Sequence, residues 1–236
     1  LTFASAPDYE TKSTYTATVT ASDGTNTSTQ DITVNVTNIN EKPIITSASS
    51  YTVDENQTTI GSIIATDESS DLIYELSGSD ASSININNVT GDLTFQSAPD
   101  YEIKQDYSVI ANVSDDSFTS KKAIQIFITN LNDNTPAFTS SASFTVNEGV
   151  TSVGTVTATD ADNDTLTYSI SGSEIAVNSS SGVLTFASAP DYETKSSYSA
   201  TVTVTDGTNT ATQDITVSIT NLNDNTPAFT SSASFT

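Results

Sequence analysis

The 236-residue sequence has no cysteine, histidine, methionine or tryptophan, and its six basic residues are all lysine. Without histidine and cysteine there is no imidazole base, thiolate nucleophile or nitrogen–sulfur zinc site. Without arginine there is no planar, bidentate clamp for phosphate. Twenty-nine acids leave a net charge of −23, which repels nucleic-acid backbones and anionic lipid, so no nucleic-acid partner is expected. No apolar run approaches the ~18 residues of a membrane span, and direct membrane insertion is not expected either. The N-terminus lacks a Met and a charged-then-apolar targeting pattern, and Leu1 reads as a cut more than a start. The lack of disulfides does not by itself fix a compartment. What remains is carboxylate chemistry, a hydroxyl nucleophile with a lysine base, or a hard cation held by oxygens.

The chain does hold a repeat. Leu1-Thr2-Phe3 recurs at Leu93-Thr94-Phe95 and Leu184-Thr185-Phe186, 92 and 91 residues apart, and each copy leads into Ala-Pro-Asp-Tyr-Glu. Residues 1–41 and 184–224 share 32 of 41 positions, and 130–145 is identical to 221–236. A period of this length is a whole domain, and 35% hydrophobic residues suit several small cores better than one large one. The expected division is the end of one repeat (1–43), two complete repeats (44–136 and 137–227) and the first strand of another (228–236).

Within a copy the apolar positions alternate. Tyr15, Ala17, Val19 and Ala21 interleave with Thr and Ser, as do Ile32, Val34 and Val36, and Ile124, Ile126 and Ile128. Period two places one apolar and one hydroxylated face on each strand. Short Thr-, Val- and Ile-rich runs separated by Gly, Asn, Asp and Ser clusters predict about seven strands per copy in an antiparallel β-sandwich. Tyr15, Tyr107 and Tyr198 open equivalent strands, as a tyrosine corner or as half-buried strand aromatics.

The acids concentrate where strands meet loops. In Asp191-Tyr192-Glu193, extended geometry sends both carboxylates to one side, and Asp160-Ala161-Asp162 repeats that spacing beside Asn163 and Asp164. Between copies runs Asn130-Leu131-Asn132-Asp133-Asn134-Thr135-Pro136, a short extended linker rich in side-chain oxygens. A lone aspartate in such a loop is ordinarily a turn former. Five acidic elements in fixed order are harder to explain that way.

Those elements resemble the cadherin repeat family. They are Val-Asp-Glu-Asn at 53–56 and Val-Asn-Glu-Gly at 146–149, Ala-Thr-Asp-Ala-Asp at 158–162, Pro-Asp-Tyr-Glu from 7, 99 and 190, the strand-closing Asp23, Asp115 and Asp206, and Asn-Leu-Asn-Asp-Asn-Thr-Pro from 130 and 221. The resemblance covers the whole chain and implies an all-β fold of tandem seven-stranded Greek-key β-sandwiches, immunoglobulin-like in architecture and joined end to end, as in cadherins and large bacterial surface adhesins. It also implies Ca2+ between successive repeats.

Carried over by position, the junction after the second copy would use Glu55, Asp100, Glu102, Asn132, Asp133 and the Asn134 carbonyl. From the next copy it would take Asp160, Asp162, Asp206 and a carbonyl near Asn163, giving seven carboxylates for a family-typical cluster of three calcium ions. Asn130 departs from the family's usual Asp. The junction after the first copy retains Asp8, Glu10, Asn40, Glu41, Asp67 and Asp115. Its linker is one residue shorter and carries Lys42, and Ser69 stands where the third copy has Asp162, so fewer or weaker calcium ions are expected. Glu68 or Asp71 is a candidate for compensation, though neither holds the family position. Glu148, Asp191, Glu193, Asn223 and Asp224 form the corresponding set at the end of the third copy.

The function this implies is a non-enzymatic, calcium-rigidified spacer or adhesion repeat of an extracellular, cell-surface or secreted protein. The alternative is that the repeats themselves mediate adhesion, glycan binding or filament assembly. Candidate partners are neighbouring repeats, other copies of the chain and a cell-surface ligand.

Overall fold

The computed structural model describes residues 1–68, 71–231 and 233. It divides into two compact units, Leu1–Thr129 and Asn130–Thr236. The expected breaks stood at 43/44, 136/137 and 227/228; here the linker 130–136 travels with the strands that follow it.

Residues 1–43 contribute β1 (Thr14–Ser22) and β2 (Thr27–Asn35), an antiparallel pair. The second copy contains β3 (Ile44–Ile45), β4 (Ser50–Asp54), β5 (Thr59–Ser62), β6 (Ala65–Thr66), β7 (Ile73–Ser77), β8 (Ile84–Ile86), β9 (Asp92–Phe95), β10 (Asp106–Ser114) and β11 (Thr119–Thr129). The third repeats this plan as β12 (Ala137–Phe138), β13 (Ser143–Asn147), β14 (Ser152–Thr155), β15 (Ala158–Thr159), β16 (Thr167–Ile170), β17 (Ile175–Val177), β18 (Val183–Phe186), β19 (Ser197–Thr205) and β20 (Thr210–Thr220).

Each complete copy is a seven-stranded sandwich. One sheet has the order β4-β11-β10-β7, or β13-β20-β19-β16; the other has β5-β9-β8, or β14-β18-β17. The short pairs β3–β6 and β12–β15 extend the first strand toward the linker. The sandwich is not wholly antiparallel as expected, because β4 runs parallel to β11 and β13 parallel to β20. The first strand leads into the opposite sheet as β5 or β14, so no tight hairpin turn fixes its direction against the last strand.

The alternating residues meet between the sheets. Ile124, Ile126, Val109, Val113 and Leu93 are buried in one core, and Ile215, Val217, Val202, Val204 and Leu184 in the other. The two-stranded sheet of residues 1–43 has no second sheet over it among the described residues. Val19 and Val34 are 44% and 36% exposed, whereas Val202 and Val217, at the same repeat positions, are at 0%.

The connections follow local chemistry. In the turn after β8, the Asn87 side chain accepts the amides of Val89 and Thr90, and Gly91 follows at φ +75°. Gly182 closes the equivalent turn at φ +69°, where a Cβ would run into the Val156 carbonyl oxygen. Tyr107 and Tyr198 serve as half-buried strand aromatics. Their ring centroids lie 4.9 and 4.8 Å from those of Phe95 and Phe186, and the Lys104 and Lys195 ammonium groups each sit 4.4 Å from the tyrosine ring centroid. Of the strand expected at 228–236, residues 228–231 and 233 form none and the rest lie outside the described residues. The matching Ala137–Phe138 is a strand through pairing with Ala158–Thr159.

Candidate functional site

Three acidic sets lie within the two units. The first surrounds the linker that closes residues 1–43. Here Asn40 Nδ2 donates to Asp115 Oδ2 at 3.1 Å, and Ser120 Oγ donates to the Pro43 carbonyl at 2.5 Å, which seats the linker on the second copy. The Glu41 amide donates to Glu68 Oε1 at 2.9 Å. Glu10, Glu41, Asp67 and Glu68 line one groove.

Two like charges meet in that groove. The Glu10 carboxyl is held above its ordinary value: its own backbone amide favours the anion, but the adjacent Glu68 carboxylate outweighs it, together with lost solvent and Asp8. Asp8 faces its own turn, accepting the Glu10 and Thr11 amides at 3.0 and 3.3 Å and the Thr11 hydroxyl at 2.8 Å. The Thr11 hydroxyl is the main cause of its lowered pKa. Asp115 is lowered chiefly by the Phe118 amide at 2.6 Å. Asp67 Oδ2 is buried and accepts no hydrogen bond. Ser69, noted in the sequence, lies outside the described residues.

The second set lies in Asn130–Thr236. Asp162, 6% exposed, accepts the amides of Asp133 and Asn134 through Oδ2 at 3.1 and 2.8 Å, and Asn134 Nδ2 through Oδ1 at 2.9 Å. Asp160 Oδ1 accepts the amides of Asp162 and Asp164 at 3.0 and 3.4 Å, while its Oδ2 is buried without a partner. Carboxylate oxygens of Asp160, Asp162 and Asp164 lie within 4.8 Å of one another. Asn163 adopts a left-handed backbone, φ 64°, between them.

Asp206 is buried at the far side of this loop, where Oδ1 accepts the amides of Thr208 and Asn209 at 2.7 and 2.6 Å. Burial pushes its carboxyl up, but these amides and the Asn209 and Asn132 side chains leave it lowered on balance. Asn209 Nδ2 also reaches Asn132 Oδ1 and the Asn134 carbonyl at 3.2 and 3.1 Å. Asn130 Nδ2 donates to the Asp162 carbonyl at 3.0 Å, but its Oδ1 is buried and unpartnered.

The third set is Glu148, Asp191 and Glu193, whose carboxylates also fall within 4.8 Å of one another. Glu148, 5% exposed, is fixed by the amides of Tyr192 and Leu222 at 2.9 and 2.5 Å. The Thr194 hydroxyl leads the groups that lower Asp191. Asn223 and Asp224 are exposed and outside this triplet. In the first unit Glu55, 1% exposed, repeats the Glu148 arrangement by accepting the Tyr101 amide at 2.8 Å. Asp100 accepts the Ile103 amide at 3.1 Å, and Glu102 is exposed nearby in sequence.

Most of these residues stand out in the sequence, Asp164 among them, whereas Asn209 does not. Asp164 was visible as another acid beside Asp160-Ala161-Asp162. Asn209 carried no signal of its own, being one of many asparagines in turns. All three sets offer only oxygen: carboxylates, amide side chains and backbone carbonyls. That donor set fits a hard cation and excludes a soft-metal site. Among the described residues, no helix is long and apolar enough to cross a membrane.

Residues 142–220 match the cadherin domain family. The chain is 32% identical over 249 residues to human cadherin EGF LAG seven-pass G-type receptor 2, covering 94% of the chain and 8% of that protein. It is 29% identical to mouse protocadherin Fat 4, covering 97% of the chain and 5% of that protein. The chain thus spans under a tenth of the length of these relatives. Among solved structures, it is similar to mouse cadherin-23 EC22-24, with a TM-score of 0.68, 28% identity, and coverage of 92% of this chain and 77% of that one. The fold also matches protocadherin gamma B2 extracellular cadherin domains 3-6, with a TM-score of 0.75, 22% identity, and coverage of 90% and 61%. With its domain-length period, its two sandwiches of like topology and these likenesses, the chain is built of cadherin-like repeats.

Proposed function

We propose that the chain is a run of non-enzymatic, calcium-binding adhesion-type repeats from a long extracellular surface or secreted protein, with metal at the repeat ends rigidifying the linkers. The observation that carries this reading is the pair of buried carboxylate oxygens, Asp67 Oδ2 and Asp160 Oδ2, at the same position in two copies and both without a donor. A buried anionic oxygen without a partner is costly. Its recurrence beside other carboxylates supports a cation-binding role for this position.

Calcium takes six to eight hard oxygens in flexible geometry and neutralises the carboxylates that surround it. Asp160, Asp162, Asp133, Asp206 and the oxygens of Asn132, Asn134 and Asn163 would hold it in the second unit. Glu10, Asn40, Glu41, Asp67 and Asp115, with Asp8 in the adjoining turn, would do so in the first. Glu55, Asp100 and Glu102 carry the same donor types at the end of the second copy, as do Glu148, Asp191, Glu193, Asn223 and Asp224 at the end of the third. The chain has no tryptophan and Tyr107 and Tyr198 are engaged by Phe and Lys, which favours the calcium-bound spacer over direct glycan recognition.

Metal that binds only the folded state raises stability in proportion to the logarithm of its concentration above the dissociation constant. Melting curves in excess calcium and in chelator are therefore expected to separate. Superimposable curves would overturn the proposal.

A further inference from the structure

We infer that Glu68 is a calcium ligand at the first linker, taking there the part that Asp162 plays at the start of the third copy. This rests on the calcium reading above.

Counting along the repeat, Asp67 corresponds to Asp160 and Ser69 to Asp162, so the second copy lacks the second aspartate of the pair. Glu68 corresponds to Ala161, which offers no side-chain oxygen. In the third copy, Asp162 Oδ2 accepts the amide of Asp133 at 3.1 Å and so ties the receiving loop to the linker. Glu41 is the repeat counterpart of Asp133. Its amide donates to Glu68 Oε1 at 2.9 Å. The same backbone donor is therefore met by a carboxylate one residue earlier in the chain and one methylene longer.

The surroundings match as well. Glu68 lines a groove with Glu10, Glu41 and Asp67. In that groove the buried Asp67 Oδ2 has no hydrogen-bond partner, as Asp160 Oδ2 has none beside Asp162. Among the described residues no ion pair joins a lysine to Glu10, Glu41, Asp67 or Glu68, and Lys42, the cation of this linker, is exposed to solvent. A hard divalent ion satisfies Asp67 Oδ2 and the convergent carboxylates together. Local hydrogen bonding alone would explain the Glu41 amide but not the unpartnered oxygen.

The test uses the full chain and counts bound calcium by equilibrium dialysis with radioactive calcium, for wild type and three variants. Glu68→Gln keeps the length and an acceptor for the Glu41 amide while removing the charge. Glu75→Gln removes an exposed acid of β7, away from the groove, as a charge control. Glu68→Ala with Ser69→Asp restores the aspartate spacing of the third copy. Glu68→Gln is expected to weaken or remove one class of bound ion by about tenfold or more. Glu75→Gln should titrate as wild type, and the double variant should regain the lost class.

Glu68 is exposed, and hydrogen-exchange protection of β10 and β11 in chelator checks that each variant folds. Equal titrations for wild type and Glu68→Gln, or no recovery on adding Ser69→Asp, would overturn the assignment while leaving calcium binding intact. A wild type that binds no calcium would overturn the proposed function itself.

Discussion

Replacing Asp160 with asparagine should stabilise the metal-free protein and destabilise the calcium-loaded one. Asp160 Oδ1 accepts the Asp162 and Asp164 amides, a role an asparagine carbonyl retains, whereas Oδ2 faces other anions without a donor. Carboxylates of Asp162 and Asp164 lie within 4.8 Å. At that separation each like-charge pair costs about 0.9 kcal/mol at the dielectric of water and about 3.5 kcal/mol at an effective value of 20. Asp162 is buried and Asp160 half-buried, but the loop is wet, so removing two such repulsions is expected to stabilise the unit by about 1–3 kcal/mol in chelator. The new Nδ2 would also offer a donor where none exists.

In calcium the sign reverses. At a free concentration of about one hundred times the dissociation constant, one ion adds about 2.7 kcal/mol to the wild type, and a variant that has lost a charged ligand forfeits most of it. Because the chain holds more than one folding unit, a single melting midpoint is a poor readout. Hydrogen exchange of the amides in Ser197–Thr205 and Thr210–Thr220 reports the second unit by itself. An unchanged sign between chelator and calcium, or a loss of protection in both, would refute the reasoning that these carboxylates are assembled for a cation.

Two further outcomes concern the frame around the site. Gly182→Ala places a methyl group against the Val156 carbonyl at a positive φ and should cost about 1–3 kcal/mol by thermal unfolding of the second unit, whereas Gly172→Ala, with open space around its Cβ position, retains only the cost of its φ of +81°. The Asp80 carboxyl is held below its usual 3.8 by the Lys104 ammonium first and then by the Ser108 amide at 2.7 Å. The folded state therefore binds fewer protons than the unfolded one, and the contribution is present above the unfolded pKa and lost as pH falls through the folded one. Asp80→Asn should cost about 1–3 kcal/mol at pH 7 in chelator, discounting for the exposed lysine, and the deficit should vanish in urea titrations as the pH falls below the folded pKa.

The sequence by itself determined the repeat, the strand faces and the kind of ligand. Alternation at Ile124, Ile126 and Ile128 is enough to place three side chains on one face, because the pleat has period two regardless of what lies opposite. Turn positions followed from Asn and Gly chemistry that acts within a few residues. A composition with acids but no histidine or cysteine already restricted the ligands to oxygen. Tertiary structure decided what pairs across long separations. The parallel docking of β4 on β11, the burial of Glu55 beside the Tyr101 amide 46 residues away, and the reach of Asn209 to the linker 75 residues earlier all depend on chain segments brought together only by folding. The same holds for Glu68. Its position in the repeat marks it as a replacement for alanine, and only the closure of the linker onto the receiving loop brings its carboxylate to the Glu41 amide, because side-chain length and loop path together, rather than sequence register, set where an oxygen ends up.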